Sequence, residues 1–386
     1  MSDIVAFRSE LERNVCRILW HGRLARWDRF HGRDARATFT QRNHVPAAHK
    51  SITLLLLLLF MPVVVVIATA LGPTRIHSLS IFFDTTFGIH LYDWQPWEQV
   101  ILFQVRLPRV LVGALVGGGL ALAGAVMQGV FRNPMADPGV IGISGGASLG
   151  AVIAIALHWH IAWTLALPVS AFVVACACAF LVYIISTVRG KTSVLTLLLA
   201  GIAVGGIASS LTSFVLTLSL SSWDVGKQIV YWLMGGLNGK TWTDVALSGP
   251  IILGGSCLLL IYARDLNVLT TGEEVAQSLG INVNRTRREI LILATAVTAT
   301  AVSVSGTLVF VGLLVPHILR LILGPEHRLL MIASFLGGAI FLVLADLMAR
   351  TVIAPDEMRL GVLTSLLGGP FFLFLLITHR LRVEPI

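Results

Sequence analysis

The chain has 386 residues, of which 56% are hydrophobic and only 12% charged, and its formal net charge is +8. Soluble globular domains carry charge on about a quarter of their residues, so this composition excludes a soluble protein. The basic residues are spread over many short segments. This spread favours a membrane-topology signal over a nucleic-acid-binding patch, and we expect no nucleic-acid partner.

Uncharged stretches of about 18 or more residues predict membrane-spanning helices, because lipid cannot hydrogen-bond a free backbone amide. Ile290–Leu319 is too long for one span, and the sequence SVSGT at Ser303–Thr307 predicts a break into two short helices. The prediction is an all-α polytopic bundle of about ten transmembrane helices. In chain order, the predicted stretches are Ile52–Gly72, Val110–Phe131, Gly139–Leu157, Ile161–Ser186, Val194–Ser222, Val245–Tyr262, Ile290–Leu319, Leu329–Ala345 and Leu360–Thr378.

The basic residues between these stretches predict the orientation. With the amino terminus inside, 21 of the 28 Lys and Arg residues fall on the cytoplasmic side, as the positive-inside rule requires. Both termini are then cytoplasmic. We expect residues 51–386 to form the transmembrane domain and residues 1–50 a basic cytoplasmic extension, more readily a poorly ordered segment than an amphipathic one resting on anionic lipid.

Motifs for chemistry on this chain are missing. Two segments approach the phosphate-binding pattern GxxxxGK[ST], but one has Met234 and the other has Ile185 at the position of the first glycine. No metalloprotease or nucleophile-elbow motif occurs. Asp346, at the end of a span, is the one candidate carboxylate for proton coupling. We therefore expect no catalytic, cofactor or metal site, and an energy source on another chain.

One polar interruption, MQGVFRNPMADPG at Met127–Gly139, separates two glycine-rich apolar stretches. Small residues allow membrane helices to approach closely, and Pro134 and Pro138 prevent simple continuation of the first helix. The sequence predicts a rigid irregular turn at one membrane face.

At this point the motifs resemble a known family. Arg106 and Arg109 belong to an RLPR sequence, which is followed by the pattern QGxFxNPxAxP from Gln128 to Pro138. Together with six further segments in the same order, they resemble the permease subunits of ABC importers for iron–siderophore complexes, haem and vitamin B12 (FecCD-type permeases), from Ile52 to Arg382. Those segments are Thr192–Ala203, Tyr231–Trp242, Leu266–Val283, Phe310–Arg328, Leu344–Arg350 and Gly361–Leu376.

The resemblance implies a type II ABC importer permease fold in the bacterial inner membrane, surrounded by lipid. It implies a second copy of the chain, two ABC ATPase subunits that bind ATP and magnesium, and a periplasmic or lipoprotein substrate-binding protein. The chain itself would hold no cofactor and would not be an enzyme. The implied function is import of an iron chelate, a ferric siderophore or haem, by alternating access. Cobalamin import is the alternative within the family, and a stand-alone secondary transporter is the alternative from another class.

The resemblance also implies roles for individual residues. Arg106, Arg109 and Arg350 would dock the binding protein, although arginines that anchor helix ends would look the same. A short helix would couple the ATPase to the membrane through Gly272, Glu273, Glu274, Ala276, Leu279 and Gly280. The gate would contain Asn133, Met135, Thr192, Ser193 and Leu197. Small residues of the fifth span would line a weakly binding conduit or simply pack helices: Gly201, Gly205, Gly206, Ala208, Ser209 and Ser210.

Overall fold

The computed structural model describes residues 47–74, 76–88 and 93–383. Most of the predicted amino-terminal extension lies outside these ranges, and the first helix begins at Ala47, slightly before the predicted domain boundary. The helices are α1 Ala47–Ala70, α2 Ser78–Phe87, α3 Pro96–Phe131, α4 Ile143–Ala156, α5 Trp159–Ala162, α6 Ala166–Ser186, α7 Val194–Ser219, α8 Trp223–Leu233, α9 Trp242–Ile261, α10 Ala263–Leu269, α11 Glu273–Ser278, α12 Val283–Ser305, α13 Val311–Leu323, α14 His327–Thr351 and α15 Leu360–Val383. A two-stranded antiparallel hairpin pairs β1, Thr187–Val188, with β2, Lys191–Thr192.

The predicted all-α polytopic fold is confirmed. Within the described residues, seven helices are long and apolar enough to cross a membrane, namely α1, α3, α6, α7, α9, α12 and α14. Three shorter apolar helices are α4, α13 and the Leu360–Leu375 part of α15. Length and composition identify only the seven as spans, so the total of about ten remains a prediction.

The break predicted inside the long apolar stretch is present. Helix α12 ends at Ser305 and α13 begins at Val311. Gly306 and Phe310 between them both have positive φ angles, 69° and 70°. A side chain at Gly306 would place its Cβ 2.4 Å from the Trp232 carbonyl oxygen, so only glycine fits this turn.

The core is built around α3, which packs most extensively on α14 and also on α13, α9 and α12. Its glycines make the close approaches possible. A Cβ on Gly117 would lie 2.2 Å from the Gly338 carbonyl oxygen, and one on Gly124 would lie 1.8 Å from that of Gly312. The glycine-rich stretch is therefore a helix-packing surface, as small residues in membrane helices commonly are.

The two ends of the bundle are named here from the predicted orientation. The inner end contains Phe131 of α3, the β1–β2 hairpin and α10–α11; the outer end contains α8 and the start of α15. The assignment of the inner end to the cytoplasm remains a prediction.

Candidate coupling site on the inner face

The short helix expected between Gly272 and Gly280 is α11. Gly272 precedes it with a φ of 146°, and Gly280 follows with a φ of 83°, conformations that favour glycine. Glu273 and Glu274 occupy its first turn, where negative charge complements the helix dipole.

The two faces of α11 have different roles. Ala276 is fully buried against Leu269 of α10 and Val283 of α12, which seats the helix on the bundle. Val275 and Leu279 point outward, and Leu279 is 66% exposed. An apolar pair at the tip of a seated inner-face helix is suited to contact another protein.

A buried arginine joins α11 to the start of α7. Arg287, on the first turns of α12, donates from Nη2 to Glu273 Oε1 at 2.6 Å and from Nη1 to the Thr192 carbonyl oxygen at 2.8 Å. Its side chain is 5% exposed, whereas that of Glu273 is 45% exposed. Arg287 thus links an element at the protein surface to backbone that directly precedes α7.

Glu273 also lies close to the turn after α3. Arg132 Nη2 is 3.8 Å from Glu273 Oε1, and Arg132 is the left-handed carboxyl-terminal cap of α3, with φ 51°. We call Arg132, Thr192, Glu273 and Arg287 the inner-face cluster. It connects α11 to both segments that the sequence predicts to form the gate.

The turn after α3 is held by side-chain caps. Asn133 Oδ1 accepts from the Met135 backbone amide at 2.9 Å. Asp137 caps the 3-10 turn Pro138–Ile141 by accepting from the Gly139 amide at 2.8 Å. Burial raises the pKa of the Asp137 carboxyl to about 6, despite this hydrogen bond. Asn133 is exposed and Met135 is partly buried, so both remain available at the inner mouth.

The other expected gate segment is the junction of β2 and α7. Thr192 is buried, and its hydroxyl lies 3.0 Å from that of Thr187 across the hairpin. Ser193 caps α7 by accepting from the Thr196 amide at 3.3 Å. Leu197 is buried in the main core, a position that favours packing over a place in the pathway wall.

Neither Arg132 nor Arg287 was predicted as a site residue, and both counted only among the basic residues that predict the orientation. A signal for Arg287 was present. It falls at helical spacing on the same face as Val283, Ile290 and Ala294, all buried, whereas its neighbour Arg285 is exposed and pairs with Glu289. A lone arginine on a buried helix face requires buried acceptors.

Residues 54–378 match the FecCD transport family. The chain belongs to the FecCD transport family. It is 49% identical to the cobalamin import system permease protein BtuC of Halobacterium salinarum, over 65% of this chain and 67% of that protein. It is 40% identical to the hemin transport system permease protein HmuU of Yersinia pestis, over 84% of this chain and 96% of that protein.

A solved structure of an inward-facing metal-chelate type ABC transporter has the same fold. It aligns with a TM-score of 0.74 at 31% identity, over 84% of this chain and 98% of that one. This FecCD chain is accordingly a multi-pass membrane permease of the ABC importer class. Within the described ranges, no three His, Cys, Asp or Glu side chains come together as metal ligands.

The small residues of α7 in this FecCD permease divide between two faces. Gly201 and Ala208 are buried, and Gly205 packs against α4, where a Cβ on Gly145 would lie 3.0 Å from the Gly205 carbonyl oxygen. Gly206, Ser209 and Ser210 are exposed. Both expected roles for these residues, packing and conduit, therefore remain, on different faces.

The exposed face continues as a stripe at helical spacing, which we call the α7 stripe: Ala203, Gly206, Ser210, Ser213 and Thr217. Each of its three hydroxyl groups donates to a carbonyl oxygen four residues earlier, at 2.8–3.0 Å. The hydroxyl oxygens of the stripe can therefore still accept hydrogen bonds, but their hydrogens are already used within α7. Such a surface is suited to binding cargo weakly.

Of the three arginines expected to dock a binding protein, Arg106 and Arg350 are buried and Arg109 is partly buried, and all three make contacts within the chain. Arg106 donates to the carbonyl oxygens of Ala70, at 2.6 Å, and of Thr74, and Arg350 donates to that of Ala68. These acceptors are at or near the carboxyl-terminal end of α1, where unpaired carbonyls and the helix dipole favour cations.

Arg109 completes a partly buried ion-pair network at the outer end. It donates to both oxygens of Asp346 at 2.8–3.1 Å and to both oxygens of Glu357 at 3.0–3.1 Å. Arg350 lies 3.5 Å from Asp346 as well. In this conformation the three arginines stabilise the bundle, and this finding does not favour their docking role. Asp346 is an ion-pair partner of Arg109 and Arg350.

Proposed function

We infer that this chain is the membrane permease of an ATP-driven importer. It lies in the bacterial inner (cytoplasmic) membrane, with both termini on the cytoplasmic side. It works as a pair of identical chains with two ABC ATPase subunits on the inner face and a substrate-binding protein on the outer face. ATP and magnesium bind to the ATPase subunits. Family membership supports this assembly. The inner-face cluster is the structural observation that supports coupling to an ATPase.

The cluster suggests how ATP hydrolysis moves the permease by alternating access. A groove on the ATPase holds α11 through Val275 and Leu279, which are its exposed apolar side chains. Displacement of α11 then pulls on Arg287 through Glu273, and Arg287 passes it to the backbone at Thr192. Because Ser193 caps α7 directly after this point, the motion reaches the helix that presents the α7 stripe.

Co-purification with the ATPase subunit tests the proposed contact. Leu279→Asp places a charge in the middle of the apolar contact, so the permease should lose most of its co-purifying ATPase. Leu220→Asp is the matched control, since Leu220 is 60% exposed, close to the 66% of Leu279, but follows α7 at the outer end. Equal retention of the ATPase by both variants would contradict the proposed role of α11.

The cargo we propose is an iron chelate, a ferric siderophore or haem. This chain aligns with most of the length of relatives that are named for hemin and for Fe(3+) dicitrate transport. The α7 stripe also provides a surface without strong binding groups. Cobalamin is the second candidate, favoured by the relative from Halobacterium salinarum at 49% identity. ATP-dependent uptake of a ferric siderophore, haem and cobalamin by the reconstituted complex distinguishes these cargoes, and preference for cobalamin would overturn the first choice.

A further inference from the structure

A polar cavity opens at the outer end of the bundle, remote from the inner-face cluster. Its volume is about 190 Å³. It forms where α8 and the chain after it approach the end of α12 and the residue before α15. The side chains that give it chemical character are Gln228, Tyr231, Trp232, Asn238, Lys240 and Arg359.

The cavity has one cation without a carboxylate partner. Lys240 Nζ lies 3.3 Å from Asp244 Oδ1, so its charge is compensated. In the described part of the chain, no carboxylate oxygen lies within 4.0 Å of an Arg359 nitrogen. The cavity therefore has a net positive charge that comes from Arg359.

Arg359 is also held in a defined orientation. Its guanidinium carbon lies 3.7 Å from the centroid of the Tyr231 ring, a cation–π arrangement that leaves the edges of the guanidinium plane free to donate. A planar guanidinium of this kind matches a carboxylate with two parallel hydrogen bonds. The side-chain amides of Gln228 and Asn238 line the same cavity and add neutral donors.

We propose that this cavity binds a carboxylate arm of the incoming chelate. The proposal rests on the importer function and narrows its cargo to metal chelates that carry free carboxylates. The volume suits one arm and not a whole chelate. Aromatic and amide walls around an oriented cation suit an organic acid. Helix α8, which lines the cavity, also packs against α7, the helix with the α7 stripe.

The test measures binding of radiolabelled ferric citrate to the full chain in nanodiscs, a readout that needs neither the ATPase nor transport. Arg359→Gln should weaken binding about tenfold or more, because it removes the charged donor. Arg359→Lys should recover part of the loss, since it keeps the charge without the planar fork. Lys227→Gln is the matched control. Lys227 also lies over the Tyr231 ring, at 5.5 Å, but does not line the cavity.

A ferric trihydroxamate without free carboxylates serves as the second probe. Its binding should be the same for wild type and Arg359→Gln. Equal losses for both probes, or no loss for ferric citrate, would overturn the proposal. Weaker binding of a cargo-free substrate-binding protein to Arg359→Gln, with ferric citrate binding unchanged, would also overturn it in favour of a protein contact. Absence of ATP-dependent uptake in the complete complex would refute the importer function and leave this binding result standing.

Discussion

Replacing Arg287 by glutamine should uncouple ATP hydrolysis from transport. The substitution removes two hydrogen bonds of a buried cation, one to Glu273 and one to the Thr192 carbonyl. Hydrogen bonds to charged groups contribute about 1.5–3 kcal/mol each. Because the Glu273 side chain is 45% exposed, solvent screens this pair, and we expect a coupling energy of about 1–2 kcal/mol between the two side chains.

That energy corresponds to about a 5- to 30-fold change in rate. The assay is uptake per ATP hydrolysed, in proteoliposomes that hold the permease, its ATPase and its binding protein. Glu273→Gln and Arg287→Gln should each lower this ratio, and the double variant should fall no further than Arg287→Gln by itself. Arg285→Gln, which removes an exposed arginine on the same helix, should leave the ratio unchanged. Additive losses in the double variant would refute a path through this pair.

Three further predictions concern stability. Gly124→Ala should prevent close packing of α3 on α13 and lower the yield of folded protein, whereas Gly254→Ala, where nothing lies within 4 Å of the new Cβ, should not; similar yields would contradict this packing. Arg109→Gln should destabilise the chain by about 1.5–3 kcal/mol, because Glu357 loses its partner and Asp346 keeps only Arg350; an unchanged melting temperature in detergent with weaker binding of the substrate-binding protein would restore the docking role. Asp137→Asn should change the pH dependence of melting. Burial raises the pKa of this carboxyl from 3.8 to about 6, so the folded wild type gains stability as the pH falls from 7 to 5. The melting temperature of the variant relative to wild type should therefore decrease over that range, and a constant difference would contradict the burial.

The sequence was sufficient for the helices and the break between them, since apolar length and the SVSGT turn are local signals. It was insufficient at the outer end of α3. The span predicted from Val110 begins at Pro96 and includes a π-helical segment, Ile101–Arg106. The polar residues between Pro96 and Val110 interrupt the apolar stretch, so apolar length does not predict a helix there. Pro96 and the capping box of Gln95 and Glu98 nevertheless favour a helix start.

The arginines illustrate a second limit. An arginine at the end of a span has the same sequence signature whether it faces solvent, lipid headgroups or a buried carboxylate. Arg106 is buried because the carbonyls that end α1 lie beside it, more than thirty residues away in the chain. Such a contact depends on how two helices pack, and no local pattern encodes it. Arg287, in contrast, could have been recognised from the buried positions that surround it at helical spacing.

Uptake by the permease with and without its ATPase tests the central claim most directly, namely that hydrolysis on another chain drives this one. Vesicles containing permease and ATPase, with ATP on the ATPase side and the loaded binding protein on the other, should accumulate a ferric chelate above its external concentration. Vesicles containing only this chain should do no more than equilibrate it. Accumulation against a gradient by the permease without an ATPase would contradict the account.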